Sequence, residues 1–258
     1  MRFFAGMLMV GLGLPLFAAE PKTKVRVGKI LSRTYQFKEA GRKMKYSLFL
    51  PRAYDPEKKW PLVVALHGLY SNPWQLMLYP GLVVQADKLG YIVVAPMGYN
   101  SLGWYGSRGQ RSPSSKPKNL GELSEKDVLN VLAIVQKEFA VDDRNIFLMG
   151  HSMGGGGTWH LGMKFPKKWA ALAPLAPAAP RNIGDLHKIK DIPVVMVMGT
   201  KDSLWRSGLK WVEAMEKLGM DYDYLEVKKG GHVLPVIAKL PAVFAFFEKH
   251  RRKPLTKP

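Results

Sequence analysis

The run Ile146-Phe147-Leu148-Met149-Gly150-His151-Ser152-Met153-Gly154-Gly155 constrains this chain more than any other stretch. Four apolar residues lead directly into Gly-x-Ser-x-Gly, the pattern of a strand that turns abruptly into a helix with a serine at the apex. Such a turn holds Ser152 in a strained backbone region and crowds its surroundings, so that only hydrogen fits at Gly150 and Gly154. It lifts the hydroxyl above the sheet, beside a helix N-terminus, where it can attack a carbonyl carbon. The bland alternative is a Gly-rich strand-to-helix turn of the kind found in nucleotide-binding α/β proteins. The buried-strand pattern before the motif, the helix predicted over residues 153–165, and the partners found downstream favour the nucleophile.

Around this turn, strand-like and helix-like stretches alternate. Short unbroken apolar runs suit strands buried on both faces. They occur at residues 46–50, 62–66, 91–95, 145–149, 169–175, 194–198 and 222–227. Helical spacing predicts helices over 125–139, 205–218 and 235–250, the first with Ser124 and Asp127 as a capping box. The pattern predicts an α/β fold, a mostly parallel central sheet with helices on both faces. Residues 100–121, rich in Ser, Gly, Pro and Arg, carry Trp104 and Tyr105 and resist assignment. They follow the carboxyl end of a strand, where α/β ligand sites form, and read equally as a substrate-contacting loop or an unstructured insertion.

The first residues read as an export signal: Arg2, an apolar stretch over residues 3–17, then Ala18-Ala19. The apolar core is too short to span a bilayer, although an uncleaved membrane anchor is the competing reading. The predicted organisation is a signal peptide at 1–19 and one catalytic domain over 20–258, secreted or periplasmic, with no stable membrane insertion after signal removal. With no cysteine among the 258 residues, a disulfide, a thiolate metal site and a cysteine nucleophile are excluded. The formal net charge of +19 comes from scattered lysines and arginines. No basic run is interleaved with aromatics as in a nucleic-acid platform, so no nucleic-acid partner is expected. A loose attraction to polyanions is all that the charge implies.

A serine hydroxyl needs a base to take its proton and a carboxylate to orient that base. In proteins built around such an elbow these follow along the chain as serine, acid, histidine. Asp202 stands just past the strand at 194–198, on the same edge of the sheet as the elbow. Asp185 and Asp191 precede that strand, and Asp221 and Asp223 flank the opposite end of the next one. Of the later histidines, His232 lies in the glycine-flanked loop Gly230-Gly231-His232, whereas His250 sits in a basic tail. His232 is the predicted base. The oxyanion formed on attack needs donors already in place, assigned to the backbone N–H groups of Met153 and of Leu69 in the turn His67-Gly68-Leu69-Tyr70. His67, His151 and His160 are read as structural. No H-E-x-x-H or comparable spacing supports a metal, and no cofactor is expected.

The stretch Val141-Asp142-Asp143-Arg144-Asn145-Ile146-Phe147-Leu148, running through Gly150–Gly157 and Thr158-Trp159 to Phe165-Pro166 and Trp169-Ala170-Ala171-Leu172-Ala173-Pro174, resembles the prolyl-oligopeptidase-like branch of the α/β-hydrolases. That branch includes secreted feruloyl-esterase-like and polyhydroxybutyrate-depolymerase-like esterases, many filed as peptidases. The likeness runs from about residue 45 to 248. It implies acyl-enzyme hydrolysis by Ser152, Asp202 and His232. The chain lacks the propeller domain of true prolyl oligopeptidases, and the cysteine that follows the His-Gly pair in many depolymerase-like esterases.

The expectation is therefore a secreted serine hydrolase of carboxylic esters, acting on a small-molecule or polymeric ester without cofactor. Tyr70, Trp104 and Tyr105 are candidates to line its pocket. A serine peptidase on the same machinery, and a non-catalytic binding protein on the same scaffold, are the alternatives.

Overall fold

A computed structural model describes residues 26–180 and 182–252; the predicted export signal lies outside the described residues. Eight strands form one sheet in the order β1-β2-β4-β3-β5-β6-β7-β8. They are β1 Ile30–Phe37, β2 Arg42–Phe49, β3 Trp60–Leu66, β4 Ile92–Pro96, β5 Val141–His151, β6 Leu172–Leu175, β7 Val194–Gly199 and β8 Tyr222–Val227. β1 and β2 pair antiparallel at one side, and β2 pairs antiparallel with β4. From β4 to β8 every pairing is parallel. The helices are α1 Pro73–Met77, α2 Leu82–Leu89, α3 Leu120–Glu138, α4 Met153–Lys164, α5 Trp205–Lys217 and α6 Leu234–Lys249. This is the mostly parallel α/β sheet expected from the alternation of apolar runs, and the α/β-hydrolase fold that the resemblance implies. No helix among the described residues is long and apolar enough to cross a membrane.

The core follows from the central strands. Leu62 to Leu66 of β3, Phe147 and Leu148 of β5, and Val194 to Met198 of β7 are fully buried. Parallel strands covered on both faces must be apolar on both faces, which is why their sequences read as unbroken runs. Because β3, β5, β7 and β8 run the same way, the turns that follow them emerge on one rim.

Two expectations are corrected, and three elements went unanticipated. β6 spans only Leu172–Leu175, because Trp169 turns into the core, where its indole N–H donates to the Leu161 carbonyl at 3.0 Å. α3 begins at Leu120, so Ser124 and Asp127 do not cap it. Both are buried and turned inward instead. Ser124 Oγ accepts the Tyr105 N–H at 3.0 Å, and Asp127 accepts the Tyr35 hydroxyl at 2.5 Å and the Gly98 N–H at 2.6 Å. Finally, β1, α1 and α2 were not predicted. β1 is an edge strand that alternates between half-buried and exposed from Leu31 to Gln36 and ends on buried Phe37.

Candidate functional site

The elbow is built as its sequence requires. Ser152 has φ 59° and ψ −114°, left-handed for a residue with a side chain, and α4 starts at the next residue. A Cβ at Gly150 would lie 2.2 Å from the Gly154 carbonyl oxygen, and one at Gly154 would lie 2.1 Å from that of Leu66. Real Cβ atoms do not approach so closely, so only glycine lets β3, β5 and α4 meet here.

The rim carries Ser152, Asp202 and His232 into the wall of one open cavity of about 580 Å³, with Leu69, Trp104, Arg108, Ala178, Lys201, Ser203 and Leu204. His232 Nδ1 lies 2.6 Å from Asp202 Oδ2, while Asp202 Oδ1 accepts the Leu204 N–H at 2.9 Å. The Asp202 carboxylate is almost completely covered. With a proton on Nδ1 donated to the carboxylate, Nε2 of a neutral His232 ring is left as an acceptor.

The loops carrying the acid and the histidine are tied to each other through the backbone. Lys201 N–H donates to the Gly230 carbonyl at 2.8 Å, and Lys229 N–H donates to Thr200 Oγ1 at 2.8 Å. A third tie reaches the elbow. His151 Nε2 lies 3.1 Å from the His232 carbonyl oxygen, and Tyr79 Oη lies 2.9 Å from His151 Nδ1. A carbonyl only accepts, so Nε2 carries the proton and Tyr79 donates to Nδ1. Burial, with the neighbouring His232 imidazole as the lesser cause, pushes the His151 ring down to about 4. His151 is thus a neutral structural residue, as expected.

His67 also braces the rim. Its ring nitrogens face the carbonyls of Gly68 at 2.8 Å and Met97 at 2.9 Å, fixing the turn that carries Leu69. His160 meets the buried Glu125 at 2.7 Å, and Lys164 meets it at 2.6 Å, which joins α4 to α3. Among the described residues no group of His, Asp and Glu could hold a metal ion.

The pocket expectations divide. Trp104 lines the cavity. Tyr105 does not. Both residues are left-handed, with φ 55° and 51°. Tyr105 is fully buried, packs where a Cβ on Gly157 would strike its ring at 2.7 Å, and accepts the His67 N–H at 3.0 Å. Tyr70 does not line the cavity either. It is 78 % exposed on its own left-handed turn, with its N–H on the Ser101 carbonyl. Arg108, Lys201 and Tyr79 were not predicted. Lys201 could have been found from its place beside Asp202, but no sequence signal joins Tyr79 to His151.

A family model, Esterase ("Putative esterase"), matches residues 38–227. A bifunctional acetylxylan esterase/xylanase from Neocallimastix patriciarum is 26% identical over 144 residues, covering 56% of this chain and 19% of that protein. An acylamino-acid-releasing enzyme from Rattus norvegicus is 29% identical over 185 residues, covering 68% of this chain and 24% of that protein. The chain therefore spans about a fifth to a quarter of these relatives' lengths. Among solved structures, a thermostable esterase superposes with a TM-score of 0.64 at 25% identity, covering 85% of this chain and 62% of that one. A ferulic acid esterase superposes with a TM-score of 0.68 at 18% identity, covering 86% and 99%, a likeness of fold.

Proposed function

The chain belongs to the Esterase family, and from that premise we propose that it is a serine hydrolase of carboxylic esters. Ser152 Oγ attacks the ester carbonyl as Nε2 of His232 takes its proton. The backbone N–H groups of Met153 and Leu69 receive the oxyanion. Met153 is the first residue of α4, where an N–H has no intrahelical acceptor. His232 then returns the proton to the leaving alkoxide, and the acyl group stays on Ser152. Water, deprotonated by the same imidazole, releases the acid. Asp202 keeps Nδ1 protonated and stabilises the imidazolium.

The observation that carries this reading is the 2.6 Å contact between His232 and a covered Asp202 at the mouth of the cavity that Ser152 lines. Hydrolysis of 4-nitrophenyl acetate by wild type and by Ser152→Ala tests it. Loss of the nucleophile is expected to lower turnover by roughly four to six powers of ten. Equal rates would refute the assignment, and failure of the wild type to label with a fluorophosphonate would favour a binding protein on this scaffold. Export from the cytoplasm belongs to the same proposal, supported by the pattern of Arg2, residues 3–17 and Ala18-Ala19.

The likeness to an acylamino-acid-releasing enzyme favours a second reading, a peptidase using the same residues. An amine leaves less readily than an alkoxide, so rates on the ester and the anilide of one acyl group separate the two.

A further inference from the structure

Two cations in the cavity wall have no part in the chemistry just described. Arg108 and Lys201 both line the cavity with Ser152 and are exposed. Among the described residues neither has a carboxylate within ion-pair distance, whereas Arg111, on the same segment as Arg108, reaches Glu122. The one acidic residue in the wall, Asp202, is covered and engaged by His232 and Leu204. The accessible wall is thus positive, with no exposed anion to balance it.

The placement of the two charges is not that of scattered surface lysines. Arg108 is on the loop after β4 and Lys201 on the loop after β7. In the sheet these strands lie two places to either side of β5, which carries the nucleophile. The cations therefore come to Ser152 from opposite flanks. Arg108 is also held in place: its guanidinium carbon lies 4.2 Å from the centroid of the Trp104 ring. That contact uses the aromatic face and leaves the N–H donors of the guanidinium free. The loop beneath is fixed by the two left-handed residues, by the Ser107 hydroxyl on the Trp104 carbonyl at 2.7 Å, and by buried Tyr105. Backbone strain retained beside a reactive group is a mark of a site. A second cavity of about 470 Å³ shares Arg108 in its wall, with His160 and Asn182.

We propose that the ester cleaved here carries a carboxylate, held by Arg108 or Lys201 while Ser152 attacks; this rests on the hydrolase reading above. The planar fork of Arg108 matches a carboxylate.

Two matched pairs of substrates test the inference and tell the two ends of the ester apart. With the carboxylate on the acyl side, mono-4-nitrophenyl adipate is compared with 4-nitrophenyl hexanoate. With the carboxylate on the alcohol side, 4-acetoxybenzoate is compared with its methyl ester. In at least one pair kcat/KM for the charged member is expected to exceed that for the neutral one by about tenfold at low salt, falling toward parity in 0.5 M NaCl, where the screening length is about 4 Å. Arg108→Gln or Lys201→Gln is expected to lower that ratio about threefold to tenfold. Ratios at or below one in both pairs, with the neutral esters still cleaved in a Ser152-dependent way, overturn the inference and leave the esterase standing. A ratio that neither variant changes also overturns it. No turnover of any of the four overturns the hydrolase reading and this inference with it.

Discussion

His151 holds the backbone carbonyl of His232, at 3.1 Å from its Nε2, so the residue before the nucleophile grips the loop that bears the proposed base. The two rings lie 4.7 Å apart. Tyr79, at 2.9 Å from the other nitrogen, fixes the tautomer that makes this possible. The elbow and the histidine loop are far apart in sequence but linked through one imidazole.

His151→Ala is expected to lower kcat by roughly tenfold to a hundredfold, since a misplaced general base loses rate steeply with distance. Gln can still donate to the carbonyl, so His151→Gln should recover part of that loss. Steady-state kinetics on 4-nitrophenyl acetate decide, and an Ala variant as fast as wild type would show that the grip is dispensable.

The same imidazole makes stability depend on pH. Held down at about 4 when folded, against 6.5 when free, it stays neutral over a range in which the unfolded chain takes up a proton. Stability should therefore rise with pH between those values and be lost on acidification through them. The full swing is about 3 kcal/mol. Urea unfolding at pH 7 and pH 4.5 should show the loss in wild type and a smaller one in His151→Gln. Equal losses would place the source elsewhere.

Asp202→Asn keeps the shape of the acid but offers His232 an amide. The ring can then flip its tautomer and present a proton to Ser152. A drop in kcat of roughly ten-thousandfold is expected, with folding preserved by circular dichroism.

Gly154→Ala would place a methyl group against the Leu66 carbonyl, at 2.1 Å without movement. The backbone must shift, at about 1–3 kcal/mol. A lowered Tm together with lost activity is expected, because the shift moves Ser152. Full activity with an unchanged Tm would mean that the elbow is looser than its geometry indicates.

How much of this was legible follows from which physical signals are local. The buried runs of β3, β5 and β7 announce themselves because both faces of each strand are apolar. The elbow is legible because a close approach of three backbones admits only glycine. The loop positions of Asp202 and His232 follow from the direction of the strands. By contrast, β1 alternates and sits at an edge, so its periodicity resembles a polar segment. Ser124 and Asp127 have the residue types of a cap, and only the fold shows that they are buried partners of Tyr105, Tyr35 and Gly98. Tyr105 is buried on a left-handed backbone, and its chemical identity reveals neither. The pairing of Tyr79 with His151 is purely tertiary.

The opposite headings of Trp104 and Tyr105 separate anchorage from selectivity. Tyr105 and Gly106 secure the segment to the interior, while Trp104 and Arg108 face the cleft from the same short stretch. Libraries randomised at 104 and 108, with 105 and 106 left untouched, would redesign substrate choice on an unaltered foundation.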